Sequence, residues 1–300
     1  MKFKTVHFAH ILLIFAFTFS IHSENDLPSH KITERELLSR TVYHDDFVMN
    51  AIPKCGTHLL MSCLRYMINK PVDEGYDGIK QMKFYSRQAD YLTFLQSLKG
   101  QPYIHKTHVP YFPEMEKMLL DTNIKQVFII RDPRDAIVSL IFYLEGFTST
   151  TRDFMKLNSE YYNKLSINEK INAVMTGECC TNYVKSFLKP LSGWTRSSYS
   201  HTVKYEDIVG PKGGGSKINQ LQAIRQIADY LHVTLSDEEI EAIAEYSVKT
   251  GSTQKALGYE YPKSQIGSWK MFFDDSNKFH FKMMFGHELI QLGYEKDHNW

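Results

Sequence analysis

Lys54, Lys106 and Arg131 each fall at or just past the end of a short apolar run, and His108 follows two residues after Lys106. Cations of this kind neutralise phosphate or sulfate oxygens, and an imidazole moves a proton near neutral pH. Around Lys54 the chain reads Ile52-Pro-Lys-Cys-Gly-Thr-His58. Pro53 cannot extend a strand, Gly56 permits a tight turn, and Leu59, Leu60, Cys63, Leu64 and Met67 then recur at helical spacing. A helix start presents free backbone N–H groups and a partial positive charge, which makes an anion site. Lys54 adds a full charge there and Thr57 a hydroxyl. The order Gly-x4-Gly-Lys-Ser/Thr of a Walker A loop is absent, because here the lysine precedes the glycine.

These residues need strands that end on one edge. Phe47 to Ile52, Pro102 to Thr107, Lys125 to Ile130 and His201 to Tyr205 read as strands, the first and third as buried ones. Helices are predicted over Phe84 to Leu98, Pro113 to Leu120, Ala136 to Leu144 and Ile218 to Leu231. Ser236 and Glu239 form a capping box for a further helix through Ile240 to Val248. Residues 151 to 190 are helical in pattern but less regular, and the glycine run in Gly210 to Ser216 predicts a flexible loop. Strands alternating with helices give an α/β fold, a three-layer α/β/α sandwich around a parallel sheet. Ligands of such a sheet bind at the carboxyl ends of its strands.

The chain has 300 residues, 43% hydrophobic and 23% charged, enough for a large core. A formal net charge of +1 argues against a nucleic-acid binder, so any positive charge that matters is local. Lys2 and Lys4 precede the apolar run Phe8 to Ile21, with Ser20 and Ser23 as cleavage candidates. Residues 1–23 therefore read as a signal peptide or an N-terminal membrane anchor, and 24–300 as a single domain. The expected location is exported or membrane-associated, with a cytoplasmic protein as the alternative. Cys55, Cys63, Cys179 and Cys180 have no metal spacing and read first as small core residues, then as disulfide partners.

Several segments, in order, resemble those of the sulfotransferases that use 3′-phosphoadenosine-5′-phosphosulfate (PAPS). Ile52-Pro-Lys-Cys-Gly-Thr57 is similar to their 5′-phosphosulfate loop, and His105-Lys-Thr-His-Val-Pro110 to their Lys-Thr-His-Leu-Pro segment. Val127 to Ser139 resembles the 3′-phosphate segment, Val203-Lys-Tyr-Glu-Asp207 the Tyr-Glu-Asp strand end, and Gly267-Ser-Trp269 the end of an Arg-Lys-Gly-x-x-Gly-Asp-Trp loop. The resemblance implies a P-loop-like nucleotide-binding fold, PAPS as donor and no metal. It implies that Lys54 contacts the bridging oxygen and 5′-phosphate, with Cys55, Gly56, Thr57 and His58 around it. Lys106 would assist at the leaving group, and His108 would be the general base on the acceptor. Arg131 and Ser139 would bind the 3′-phosphate, Tyr205 would lie near the adenine, and Lys263 and Ser264 would close the loop over the donor.

The acceptor implied is a hydroxyl, on a small alcohol or phenol, a glycan or a peptide. A histidine base after the Lys-Thr pair resembles the small-molecule branch. Aromatics in 71–101 and 144–165, with Phe142 and Tyr143 just before the second, are candidates for an acceptor wall and equally for core. Three departures stand out. Cys55 replaces Ser or Thr, His58 replaces Thr, and Pro262-Lys263-Ser264 stands where Arg-Lys-Gly is expected. Locally, Arg131 has Asp132 and Asp135 as possible ion partners. Two other readings remain open: a non-catalytic exported or membrane-anchored binding protein on the same fold, and a P-loop-like nucleotide kinase.

Overall fold

Five buried residues in a row from Phe47 to Ala51, and five more from Gln126 to Ile130, leave no face of these strands for water. A computed structural model describes residues 31–40, 42, 44–69, 88–101, 104–146, 155–251 and 265–300. The chain divides into Met1–Lys31 and Ile32–Trp300, and the signal-like segment 1–23 lies outside the described residues. In the second unit β1 (Phe47–Ala51), β2 (His105–Thr107), β3 (Lys125–Ile130) and β4 (Ser200–Lys204) form a parallel sheet of order β2-β1-β3-β4.

Side chains alternate across this sheet, and each face buries its own core. Val48, Phe128 and Ile130 join one cluster with α3 (Gln88–Leu98), α4 (Pro113–Thr122), α5 (Pro133–Gly146), α6 (Ile167–Thr176) and α9 (Asp275–Gln291). Met49, Ala51, Val127, Ile129 and Val203 join the other with α1 (Glu34–Ser39), α2 (Thr57–Ile68), α7 (Lys217–Tyr230) and α8 (Asp237–Gly251). The architecture is the expected three-layer α/β/α sandwich. No helix among the described residues is long and apolar enough to cross a membrane.

Predicted capping at Ser236 holds: its N–H donates to Glu239 Oε2 at 2.7 Å, and the Glu239 N–H donates back to Ser236 Oγ at 3.2 Å. Two expectations need correction. Tyr205 does not end β4; it begins the helical turn Tyr205–Ile208. The glycine run is not a free loop. Gly213 and Gly215 both donate to the Gly210 carbonyl, and Ile266 donates to Gly213 at 3.0 Å, folding the segment into a turn. All four cysteines are free and buried, as core residues. Burial raises the Cys63 thiol to about 12.

β1 and the segment after β2 are joined by Asn50, which is fully buried. Its Oδ1 accepts from the Ala51 and Val109 N–H groups at 3.0 Å, and its Nδ2 donates to the Val109 carbonyl at 3.0 Å. The C-terminal tail is tied in similarly. Glu206 accepts from the Asp132 N–H at 2.9 Å and from the Tyr294 hydroxyl at 3.1 Å.

Two outcomes follow from these contacts. Asn50→Leu strands the Ala51 and Val109 N–H groups in the core and lowers stability by about 3 kcal/mol, read by urea denaturation. Burial pushes the Glu206 carboxyl up, against the Asp132 N–H that holds it down. The native state therefore keeps a proton that the unfolded chain has already lost. This contribution is fullest below the ordinary carboxylate value and declines as pH rises through the raised one. Glu206→Gln still accepts from the Asp132 N–H and turns its amide toward the Tyr294 oxygen without titrating, so its melting temperature changes less with pH across that window. Parallel profiles for the two proteins would contradict this.

Candidate active site

The strand-to-helix loop after β1 is fixed at several points. Ile52 N–H donates to the Ile129 carbonyl at 3.3 Å, and Cys55 N–H closes a turn onto Ile52 at 3.1 Å. Lys54 takes φ of 69°, a left-handed conformation that costs a non-glycine residue about 1 kcal/mol. The Tyr183 hydroxyl holds the loop by donating to the Pro53 carbonyl. Gly56 has φ of 100°, and a Cβ there would stand 2.5 Å from the Tyr205 ring and 3.2 Å from Ile129. Glycine is thus required twice, by backbone angle and by space. α2 begins at Thr57 without a side-chain cap, and its first internal bond runs from Leu60 N–H to the Gly56 carbonyl at 3.0 Å. The N–H groups of Thr57, His58 and Leu59 precede that bond and make the helix start an anion cradle.

Cys55 lies in the core, as its first reading had it, and its side chain is not among the groups that the resemblance sets around Lys54. The turn directs its side chain into the core, fully buried, and burial pushes its thiol far above the usual range despite the nearby Arg131. Its N–H is used in the turn. The exchange of a hydroxyl for a thiol therefore falls on a side chain that points away from the cradle. His58 is exposed and Thr57 half-buried.

Arg131 leaves the end of β3 and is 3% exposed. Its guanidinium lies 4.4 Å from the centre of the Tyr205 ring, and Nη2 donates to the Gln265 carbonyl at 3.0 Å. Nε is buried with no partner among the described residues. Tyr205, 5% exposed, therefore stands between the Gly56 turn and Arg131.

Asp135, read from the sequence as a local ion partner, does more. It accepts from Gly267 N–H at 2.8 Å, Trp269 N–H at 2.8 Å and Ser268 Oγ at 3.0 Å, and lies 3.8 Å from Arg131. Burial raises its carboxyl, opposed by Arg131 and these donors. It pins the Gly267–Trp269 turn to the start of α5. One and two turns later on the same face come Ser139, half-buried, and Tyr143, whose ring lies under the Lys54 ammonium at 3.7 Å.

His108 follows β2 and is half-buried. Its Nδ1 lies 2.6 Å from the Ala51 carbonyl. A carbonyl only accepts, so Nδ1 carries a proton, and in the neutral ring the lone pair is on Nε2. Asn50 and the Trp194 indole, which donates to Val109 O at 2.7 Å, fix the backbone beside it. Lys106 is half-buried in the middle of β2, opposite Met49. Lys263 and Ser264 lie outside the described residues. Among the described residues no group of three or more His, Cys, Asp or Glu side chains is placed to hold a metal.

Contacts thus join Gly56, Arg131 and Tyr205 into one arrangement, with Lys54 two residues before Gly56 over the Tyr143 ring and His108 hung from the end of β1. Sequence reasoning missed Asn50 and Tyr183. Asn50 carried a signal, as a polar residue inside an otherwise apolar strand; Tyr183, distant in sequence, carried none.

Residues 44–293 match the family described as the sulfotransferase domain. Human sulfotransferase 6B1 is 25% identical over 244 residues, covering 77% of this chain and 72% of that protein. The sulfotransferase 6B1 of Danio rerio is 22% identical over 253 residues, covering 77% and 74%. A crystal structure of mouse sulfotransferase SULT7A1 complexed with PAP superposes with a TM-score of 0.52 at 16% identity, over 85% of this chain and 87% of that one, a likeness of fold. With its motifs in order and most of its length matched, the chain belongs to the sulfotransferase domain family, the PAPS-dependent sulfotransferases.

Proposed function

We propose that this protein transfers a sulfuryl group from PAPS to the hydroxyl of an alcohol, phenol or similar small acceptor. The observation that carries the reading is Arg131: a buried guanidinium whose Nε has no partner among the described residues, lying over Tyr205 beside an uncapped helix start. A buried cation with an unused donor suits a phosphate. The residues present fit a donor with a phosphate at each end. Arg131 and Ser139 hold the 3′-phosphate, and the N–H groups of Gly56, Thr57 and His58 surround the 5′-phosphate. Tyr205 borders the nucleoside. PAPS, when bound, supplies a sulfuryl group on a phosphate leaving group.

The chain's residues then divide the charge and the proton. Lys54 and Lys106 stabilise charge developing on the bridging oxygen, in a preorganised site. His108 takes the acceptor proton at Nε2, since Nδ1 is committed to the Ala51 carbonyl. The resulting imidazolium keeps that same bond, so the ring need not move as it gains charge. The buried Cys55 thiol takes no part. The basic start and apolar run of residues 1–23 support export or membrane anchoring of the domain.

The test is transfer from PAPS to a panel of small phenols and alcohols. His108→Ala is expected to lose about 10²- to 10⁴-fold in turnover while still binding 3′-phosphoadenosine-5′-phosphate (PAP). Lys54→Met is expected to lose turnover with the far-ultraviolet circular dichroism unchanged. Near-native turnover in His108→Ala would remove the histidine base. Tight PAP binding without transfer to any hydroxyl by the native protein would favour the binding-protein reading.

A further inference from the structure

Lys54 is anchored at both ends. Its backbone is set by the Tyr183 hydroxyl on Pro53 and by the turn from Cys55 to Ile52. Its ammonium rests 3.7 Å from the centre of the Tyr143 ring, well inside the roughly 6 Å reach of a cation–ring attraction. Tyr143 comes from α5, the helix that also carries Asp135 and Ser139 on the same face. One helix thus borders the site from Arg131 to Lys54.

We infer that Tyr143 is a positioning residue for Lys54. An ammonium on a four-carbon stem otherwise samples many rotamers, and fixing it beforehand lowers the entropy lost when an anion arrives. The kind of partner matters. A carboxylate would fix the lysine but cancel its charge and compete with an incoming anion. A ring face attracts the ammonium through its quadrupole without itself cancelling the charge. The sequence alone offers Tyr143 only as an acceptor-wall or core aromatic. The inference rests on the reading of Lys54 as the group at the bridging oxygen.

The test uses the full chain with PAPS and counts PAP released in two assays, one with 4-nitrophenol as a probe acceptor and one with water alone. The second yields PAP and sulfate and needs no acceptor pocket. Tyr143→Phe keeps the ring face and is expected to retain at least half the rate in both assays. Tyr143→Leu fills the space without a π face, and both rates are expected to fall together by about tenfold. Phenylalanines of increasing ring fluorination at position 143 keep the shape and weaken the quadrupole, so both rates fall stepwise; this series stands even if Tyr143→Leu folds poorly.

A change confined to the KM for 4-nitrophenol would overturn the inference and make Tyr143 an acceptor-wall residue. Insensitivity to fluorination, or native rates in Tyr143→Leu, would also overturn it. Lys54→Met separates the two levels. If it loses both rates while Tyr143→Leu is native, only the inference fails. If Lys54→Met is native, or if the native protein releases PAP in neither assay, the assignment of Lys54 fails and the inference with it.

Discussion

The ring of Tyr205 occupies the space that a side chain at Gly56 would need. That contact sets the geometry of the site. On one side it lets the loop after β1 turn tightly into α2, with Lys54 and Gly56 both left-handed. On the other it gives the Arg131 guanidinium a flat surface on which to lie, with Asp135 3.8 Å away. Neighbouring β1, β3 and β4 bring the three residues together, because parallel strands deliver their following loops to the same edge. A residue larger than glycine at position 56 would move the ring, and Arg131 would lose its bed.

A second set of contacts braces this edge from the C-terminal tail. Arg134, 2% exposed, has its guanidinium carbon 3.8 Å from the centre of the Trp269 ring and 4.4 Å from that of Trp300, and pairs with Asp132 at 2.8 Å and Glu295 at 2.6 Å. Such a buried network is weak evidence of net stabilisation, but removing one partner leaves an uncompensated charge. Tyr294 on Glu206 and the Leu292 carbonyl on Lys204 add further ties. The residues flanking Arg131 are therefore held by a segment more than a hundred and fifty positions away in sequence.

That distance explains much of what could and could not be read from sequence. β1 and β3 were legible because burial on both faces demands nearly unbroken apolar runs, and the Ser236 cap because it is a local pattern. Lys54 and Arg131, just past the ends of β1 and β3, were legible because parallel topology fixes where ends go; Lys106, expected at such an end, lies inside β2 instead. The direction of Cys55 was open between core and cradle, since it depends on the left-handed angle at Lys54. The order of Gly210–Ser216 was not legible, because its bonds come partly from Ile266. α9 mixes Lys, His, Met and Phe without a clean stripe, and the role of Trp300 exists only through its contact with Arg134. Of the aromatics offered as an acceptor wall, Tyr91 and Tyr162 are core residues, while Tyr143 is half-buried against Lys54.

The central claim is that the Tyr205-supported Arg131 is the anchor for a nucleotide phosphate. Calorimetric titration of the full chain with PAP tests it most directly, comparing the native protein with Arg131→Ala. Saturable binding by the native protein, weakened about a hundredfold in the variant, is the predicted result, as expected for loss of a charge-assisted contact in a buried site. Equal affinity in the two proteins, or no binding by a folded native protein, would contradict the account.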